Sequence, residues 1–111
     1  MKLQIRQAYK LALRASGPLY TRAPTRDPDG AAYSDFMVLI PGLRDLSRAG
    51  FGDRVAGLQA VLGQYRQVVF ADLNVPLNLL WVTLIPEFGL IATMAESLRQ
   101  RIPEARLVGH E

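Results

Sequence analysis

The sequence predicts an α+β domain: an antiparallel sheet of four strands with two helices on one face, preceded by an N-terminal helix or strand. Three observations carry that reading. After Asp35, short apolar and β-branched runs alternate with longer stretches whose apolar residues recur at helical spacing, in the order strand, helix, strand, strand, helix, strand. Met37-Val-Leu-Ile-Pro41 resembles Val82-Thr-Leu-Ile-Pro86 at an offset of 45 residues, and each is followed by a glycine, an amphipathic stretch and a closing strand. That self-similarity falls where a duplicated βαβ unit would place it. Finally, 111 residues that are 50% hydrophobic can bury one core, and with no cysteine they must do so without staples. The pattern is that of a split βαβ (βαββαβ), ferredoxin-like sheet over residues 35–111, with residues 1–34 forming a basic N-terminal element and a Pro/Gly loop.

Residues 1–16 satisfy two periodicities. In a strand, Leu3, Ile5, Tyr9, Leu11 and Leu13 point away from Lys2, Gln4, Arg6, Lys10 and Arg14. In a helix, Ile5, Ala8, Tyr9, Ala12 and Leu13 form an apolar arc, and Ser16-Gly17-Pro18 supplies a stop; composition favours the helix slightly. Leu19 to Ser34 reads as a loop around the turn Arg26-Asp27-Pro28-Asp29-Gly30, where Pro presets φ and Gly accepts a positive one. Phe36 to Ile40 is a buried strand closed by Pro41-Gly42, and Pro41 to Gly52 reads as a connecting loop. Asp53 is the expected cap of a helix carrying Val55, Leu58, Val61, Leu62 and Tyr65 on one face. Gln67–Leu73 and Leu79–Ile85 form a hairpin around Asn74-Val75-Pro76. After Pro86-Glu-Phe-Gly89 a second helix aligns Leu90, Ile91, Met94, Ala95, Leu98 and Ile102; Pro103 ends it, and Arg106 to Gly109 closes the sheet.

Composition excludes several chemistries. Without cysteine there is no nucleophilic thiol and no thiolate metal site; the single histidine, His110, sits next to the last residue, so a His-based triad, a multi-histidine metal site and a histidine general base in a cleft are not expected. Asp27 and Asp29 lack the further ligands of a calcium loop. No cofactor or metal is expected. From Leu73 to Ala95 only Glu87 is charged, but Asn74, Pro76, Asn78, Pro86 and Gly89 argue against a membrane span. Lys10 and Arg14 interrupt the apolar run that a secretory signal needs, so the expected setting is cytoplasmic. Net charge is +3, yet residues 1–34 carry +4 and the remainder −1. Lys2, Arg6, Lys10 and Arg14 recur every fourth residue and would make one basic stripe on a helix, ordinarily a solvated face and alternatively an arm for a polyanion such as nucleic acid.

Two helices cover one face of a four-stranded sheet, so the other face needs the N-terminal segment, a second chain or a ligand. Phe36, Val38, Phe70, Trp81 and Thr83 are the candidates for that face, depending on register, and Phe36, Phe70 and Trp81 are the expected interface residues. A small anionic ligand is conceivable in the Pro41–Gly52 loop, where Arg44, Ser47, Arg48 and Arg54 surround an expected helix N-terminus. The ordinary reading is structural, since Asp45 and Asp53 neutralise two of the arginines. Pro41-Gly42-Leu43 after a strand resembles the strand-to-helix corner of ACT regulatory domains, a resemblance that implies amino-acid binding at a dimer interface; here the helix does not follow at once. Tyr33, Asp35, Ser47, Asp72 and Glu87 have no base partner identifiable from spacing, and no residue is assigned as catalytic.

The expected function is a small non-enzymatic binding or regulatory module, homodimeric through its open sheet face. The alternatives are a small dimeric α+β-barrel-type enzyme with an apolar pocket near Tyr33, Asp72 or Trp81, and a binder of nucleic acid or an acidic partner that uses the basic arm.

Overall fold

The computed structural model describes residues 28–109 in full, together with the strand backbone of residues 2–6 and 13–15. The chain is α+β, with strands β1 (Lys2–Arg6), β2 (Leu13–Ala15), β3 (Ser34–Leu39), β4 (Val68–Asn74), β5 (Leu79–Leu84) and β6 (Arg106–Val108) and helices α1 (Arg48–Leu62) and α2 (Leu90–Arg101). The strands form one sheet in the order β2-β1-β4-β5-β3-β6, every neighbouring pair antiparallel. It follows that β3 and β4 run the same way with β5 between them, and β5 and β6 run the same way with β3 between them. Each helix is thus a crossover that leaves a gap for one strand.

The helical reading of residues 1–16 is corrected where they are described. Leu3 stands opposite Leu73 and Ile5 opposite Ala71, so β1 continues the hydrogen-bond ladder along β4. An unpaired β4 edge would leave a row of backbone groups without partners, and that tertiary demand outweighs a slight helix propensity. The spacing of Lys2, Arg6 and Arg14 is accordingly not a helical stripe; Lys10 lies outside the described residues.

The expected helix start is also corrected. Ser47, not Asp53, is the N-cap of α1, and its Oγ accepts from the Gly50 amide at 3.1 Å. The stretch from Pro41 to Gly52 is therefore only in part a loop: Gly42 at φ +81° leads into a 3₁₀ turn at Leu43–Asp45, and the first turn of α1 follows. The second half repeats the device, with Gly89 at φ +77° immediately before α2. Between β4 and β5 the turn is held by Asn74, whose side chain accepts from the Leu77 amide, and by Asn78 at φ +56°, a conformation that asparagine tolerates better than most L residues.

The core lies between the sheet and the two helices. Phe36, Val38 and Ile40 from the first crossover, Leu80, Val82 and Leu84 from β5, and Leu58 and Leu62 from α1 meet Met94 and Leu98 from α2, each at most 2% exposed. A register shift between Val68 and Phe70 reverses the alternation within β4. Val68, Ala71 and Leu73 consequently join this core, while Phe70 and Asp72 face the other side.

Beyond the apolar contact, a polar clasp ties α1 to α2 and the residues after it. The guanidinium of Arg54 donates to both carboxylate oxygens of Glu104, at 2.6 and 3.3 Å, and Arg101 lies over Gly57 with its Nη2 3.7 Å from Asp53. A Cβ at Gly57 would stand 3.1 Å from Arg101 Cγ, so the glycine admits this close approach.

Two stability measurements test this picture. Leu98→Ala should cost about 3 kcal/mol through lost transfer energy plus a residual cavity, seen as a lower denaturant midpoint with unchanged slope. Arg54→Ala and Glu104→Ala should each lower the melting temperature, with the double variant falling by less than their sum; strict additivity would show the clasp to be inert.

Candidate interaction face

Cross-strand register sets the side-chain rows on the sheet face away from the helices. One row runs Arg106, Leu39, Leu79, Asn74; the next runs Val108, Met37, Trp81, Asp72; a third runs Asp35, Thr83, Phe70. Directly opposed residues in an antiparallel pair project to the same side, so each row is a line of neighbours.

Burial divides this face in two. Phe70, Asp72 and Thr83 are 0, 2 and 2% exposed, whereas Met37, Leu39, Leu79, Trp81 and Val108 are only half-buried. The half-buried group is contiguous and apolar, and it spans β5, β3 and β6. At its centre the Trp81 indole N–H donates to Thr83 Oγ1 at 3.0 Å. The ring's one polar group is satisfied within its own strand, so the rest of the indole is an apolar surface that a partner can cover without stranding a donor. Asp35 on β3 and Arg106 on β6, both exposed, lie at opposite ends of the patch along the strand direction, and neither joins an ion pair among the described residues.

Of the expected interface residues, Trp81 lies on this face and half-exposed. Phe70 is on it but fully buried. Phe36 is not on it: its register with Val82 and Ala71 puts it in the helix-side core, because the residues of β3 that face the helices are the even-numbered ones. Val38 is corrected in the same way. Met37, Leu39, Leu79 and Val108 are the members of the face not singled out from sequence. Strand alternation on the other parity is the signal that would have found them.

The arginine-rich candidates hold structure together. The Arg44 amide donates to Asn78 Oδ1 at 2.8 Å and its Nη1 to the Pro76 carbonyl at 3.2 Å, which joins the turn before α1 to the β4–β5 turn. Ser47 spends its hydroxyl on the α1 cap. Arg54 is held by Glu104 and by Asp53 at 3.0 Å; the hydrogen bond to Glu104 raises the guanidinium's already high pKa despite partial desolvation. Arg48, exposed at the first position of α1, is in no ion pair among the described residues. Tyr33 is half-buried next to β3, and Glu87 accepts from Gln67 Nε2 at 2.6 Å.

At the far end of β5, Phe88 is fully exposed and Ile85 47% exposed. Among the described residues there is no group of three or more potential metal-ligating side chains, and no helix is long and apolar enough to cross a membrane. The chain matches no protein-family model, and no curated protein or solved structure is significantly similar to it.

Thr83→Val isolates the tryptophan contact. Removing Oγ1 at nearly constant volume should cost about 1 kcal/mol, and the emission of Trp81, the single tryptophan, should shift as its N–H turns to solvent. An unchanged spectrum and midpoint would show that the hydrogen bond does not fix the ring.

Proposed function

We propose that this chain is a small non-enzymatic interaction module that works as a homodimer through the sheet face its helices leave bare. The carrying observation is the contiguous half-exposed apolar group Met37, Leu39, Leu79, Trp81 and Val108, with the indole N–H already satisfied. Two such faces stack at the ordinary sheet-to-sheet separation of about 10 Å, with non-directional apolar burial as the driving term. The strand order β4-β5-β3-β6 with two one-strand-gap crossovers supports a ferredoxin-like assignment for residues 35–111. Absence of cysteine is in keeping with a cytoplasmic setting.

A second reading draws on Asp72. A carboxyl group directly across from Trp81 is the kind of group a small dimeric enzyme of this fold would use, and at 2% exposure within one copy it would have to be uncovered before it met a substrate between the two sheets. The two readings share the dimer and differ in whether Asp72 does chemistry.

Sedimentation equilibrium decides the dimer, and the single tryptophan reports its surface. A dimer mass at about 10 μM, dissociating on dilution with a red shift of Trp81 emission, is the expected result. Met37→Asp should give a folded monomer, since it places a charge in the middle of the patch. A wild-type chain that remains monomeric at about 1 mM overturns the proposal. Asp72→Asn separates the readings: an interaction module keeps its assembly and its function, whereas an enzyme keeps the assembly and loses turnover.

A further inference from the structure

The open edge of β6 and the groove beside it point to a second surface, distinct from the sheet face. β6 ends the sheet, and among the described residues no strand pairs with its outer side. Alongside lies a groove of about 430 Å³ between β6 and α2, lined by Ala92, Ala95, Glu96, Arg99, Ala105, Arg106 and Leu107. Ala92, Ala95, Glu96 and Arg99 share one helical face by their three- and four-residue spacing. Where α2 overlooks β6, its first two turns therefore carry the methyl groups of Ala92 and Ala95, followed by the paired Glu96 and Arg99.

Charge then selects the occupant. On the rim, Arg99 is paired with Glu96, while Arg106 is exposed and in no ion pair among the described residues, so the rim is left with a net positive charge. Arg106 stands opposite Leu39 and thus on the sheet face, whereas Leu107 stands opposite Val38 on the helix side. An extended segment laid along β6 would alternate in the same way, one set of side chains entering the alanine groove and the other passing Arg106. We propose that β6 accepts an acidic extended peptide as an added strand, with small apolar residues facing Ala92, Ala95 and Leu107 and carboxylates on the Arg106 side. Within β6 it is Leu107 whose N–H and C=O point away from β3, so among the described residues this residue offers the main-chain hydrogen bonds, and the alternation supplies the specificity.

The probe is a fluorescein-labelled peptide Glu-Val-Glu-Val-Glu, compared with Lys-Val-Lys-Val-Lys. Saturable binding of the acidic peptide is expected, with the lysine peptide weaker by at least about tenfold. Arg106→Glu should remove that preference, and Ala92→Phe, which fills the groove from an exposed position, should weaken the acidic peptide by about tenfold. Unchanged thermal unfolding of both variants excludes misfolding as the cause. Amide exchange at Leu107 should slow when the acidic peptide binds, the Arg106 and Val108 amides being engaged with β3 already. The proposal is overturned if neither peptide saturates by about 1 mM, if both bind equally, or if Ala92→Phe has no effect, which would mean charge attraction alone. It is equally overturned if the Leu107 amide is already protected in a concentration-dependent way without peptide, because the edge would then belong to a second copy. Binding retained in Met37→Asp separates this surface from the face proposed for dimerisation.

Discussion

An antiparallel sheet has two faces, and among its described residues this chain provides helices for one of them. That asymmetry governs how each strand must be written. The even-numbered residues of β3 and β5 meet α1 and α2, so their odd-numbered neighbours Met37, Leu39, Leu79 and Trp81 must go to the other side whatever their polarity. In β4 the shift between Val68 and Phe70 moves one residue out of step against β5, so Val68 packs with Ala71 and Leu73 while Phe70 and Asp72 go together to the opposite face.

The polar residues of the connections act on the same constraint from outside the core. Crossovers on one face must be held down at their ends, where the helices leave the sheet and apolar contact runs out. Ser47, Asn74 and Asn78 close turns by accepting backbone amides, and Arg44 links two of those turns through bonds that span more than thirty residues of sequence. The Arg54–Glu104 pair does this for α1 and the segment after α2, with bidentate geometry that fixes direction as well as distance. An arginine that looks available in the sequence is in this way already committed by the fold.

Two surfaces then remain, and they differ in physics. The sheet face offers apolar area with its one indole donor satisfied, which suits a broad, non-directional contact such as a second copy. The β6 edge offers the main-chain N–H and C=O of Leu107 beside a shallow groove, which suits an extended segment read by alternation. Neither requires the other, because one is covered by stacking and the other by lateral pairing.

Much of the fold was legible in one dimension. Order and type of the elements after Asp35, the hairpin around Asn74-Val75-Pro76, the stop at Pro103 and the repeated strand-Pro-Gly device all follow from local periodicity and turn chemistry, which depend on neighbours within a few residues. Residues 2–6 and 13–15, the true cap at Ser47, and the assignment of Phe36 to the core did not follow. A segment that fits two periodicities is settled by whether an unpaired strand edge lies nearby. Which parity of a strand faces the helices is settled by register, and a bulge such as that in β4 resets it without any mark in composition. After Asp35 the sequence by itself determined which pieces form and in what order; the tertiary structure decided the strands before it and which face each side chain shows, because both depend on pairing between residues far apart in the chain.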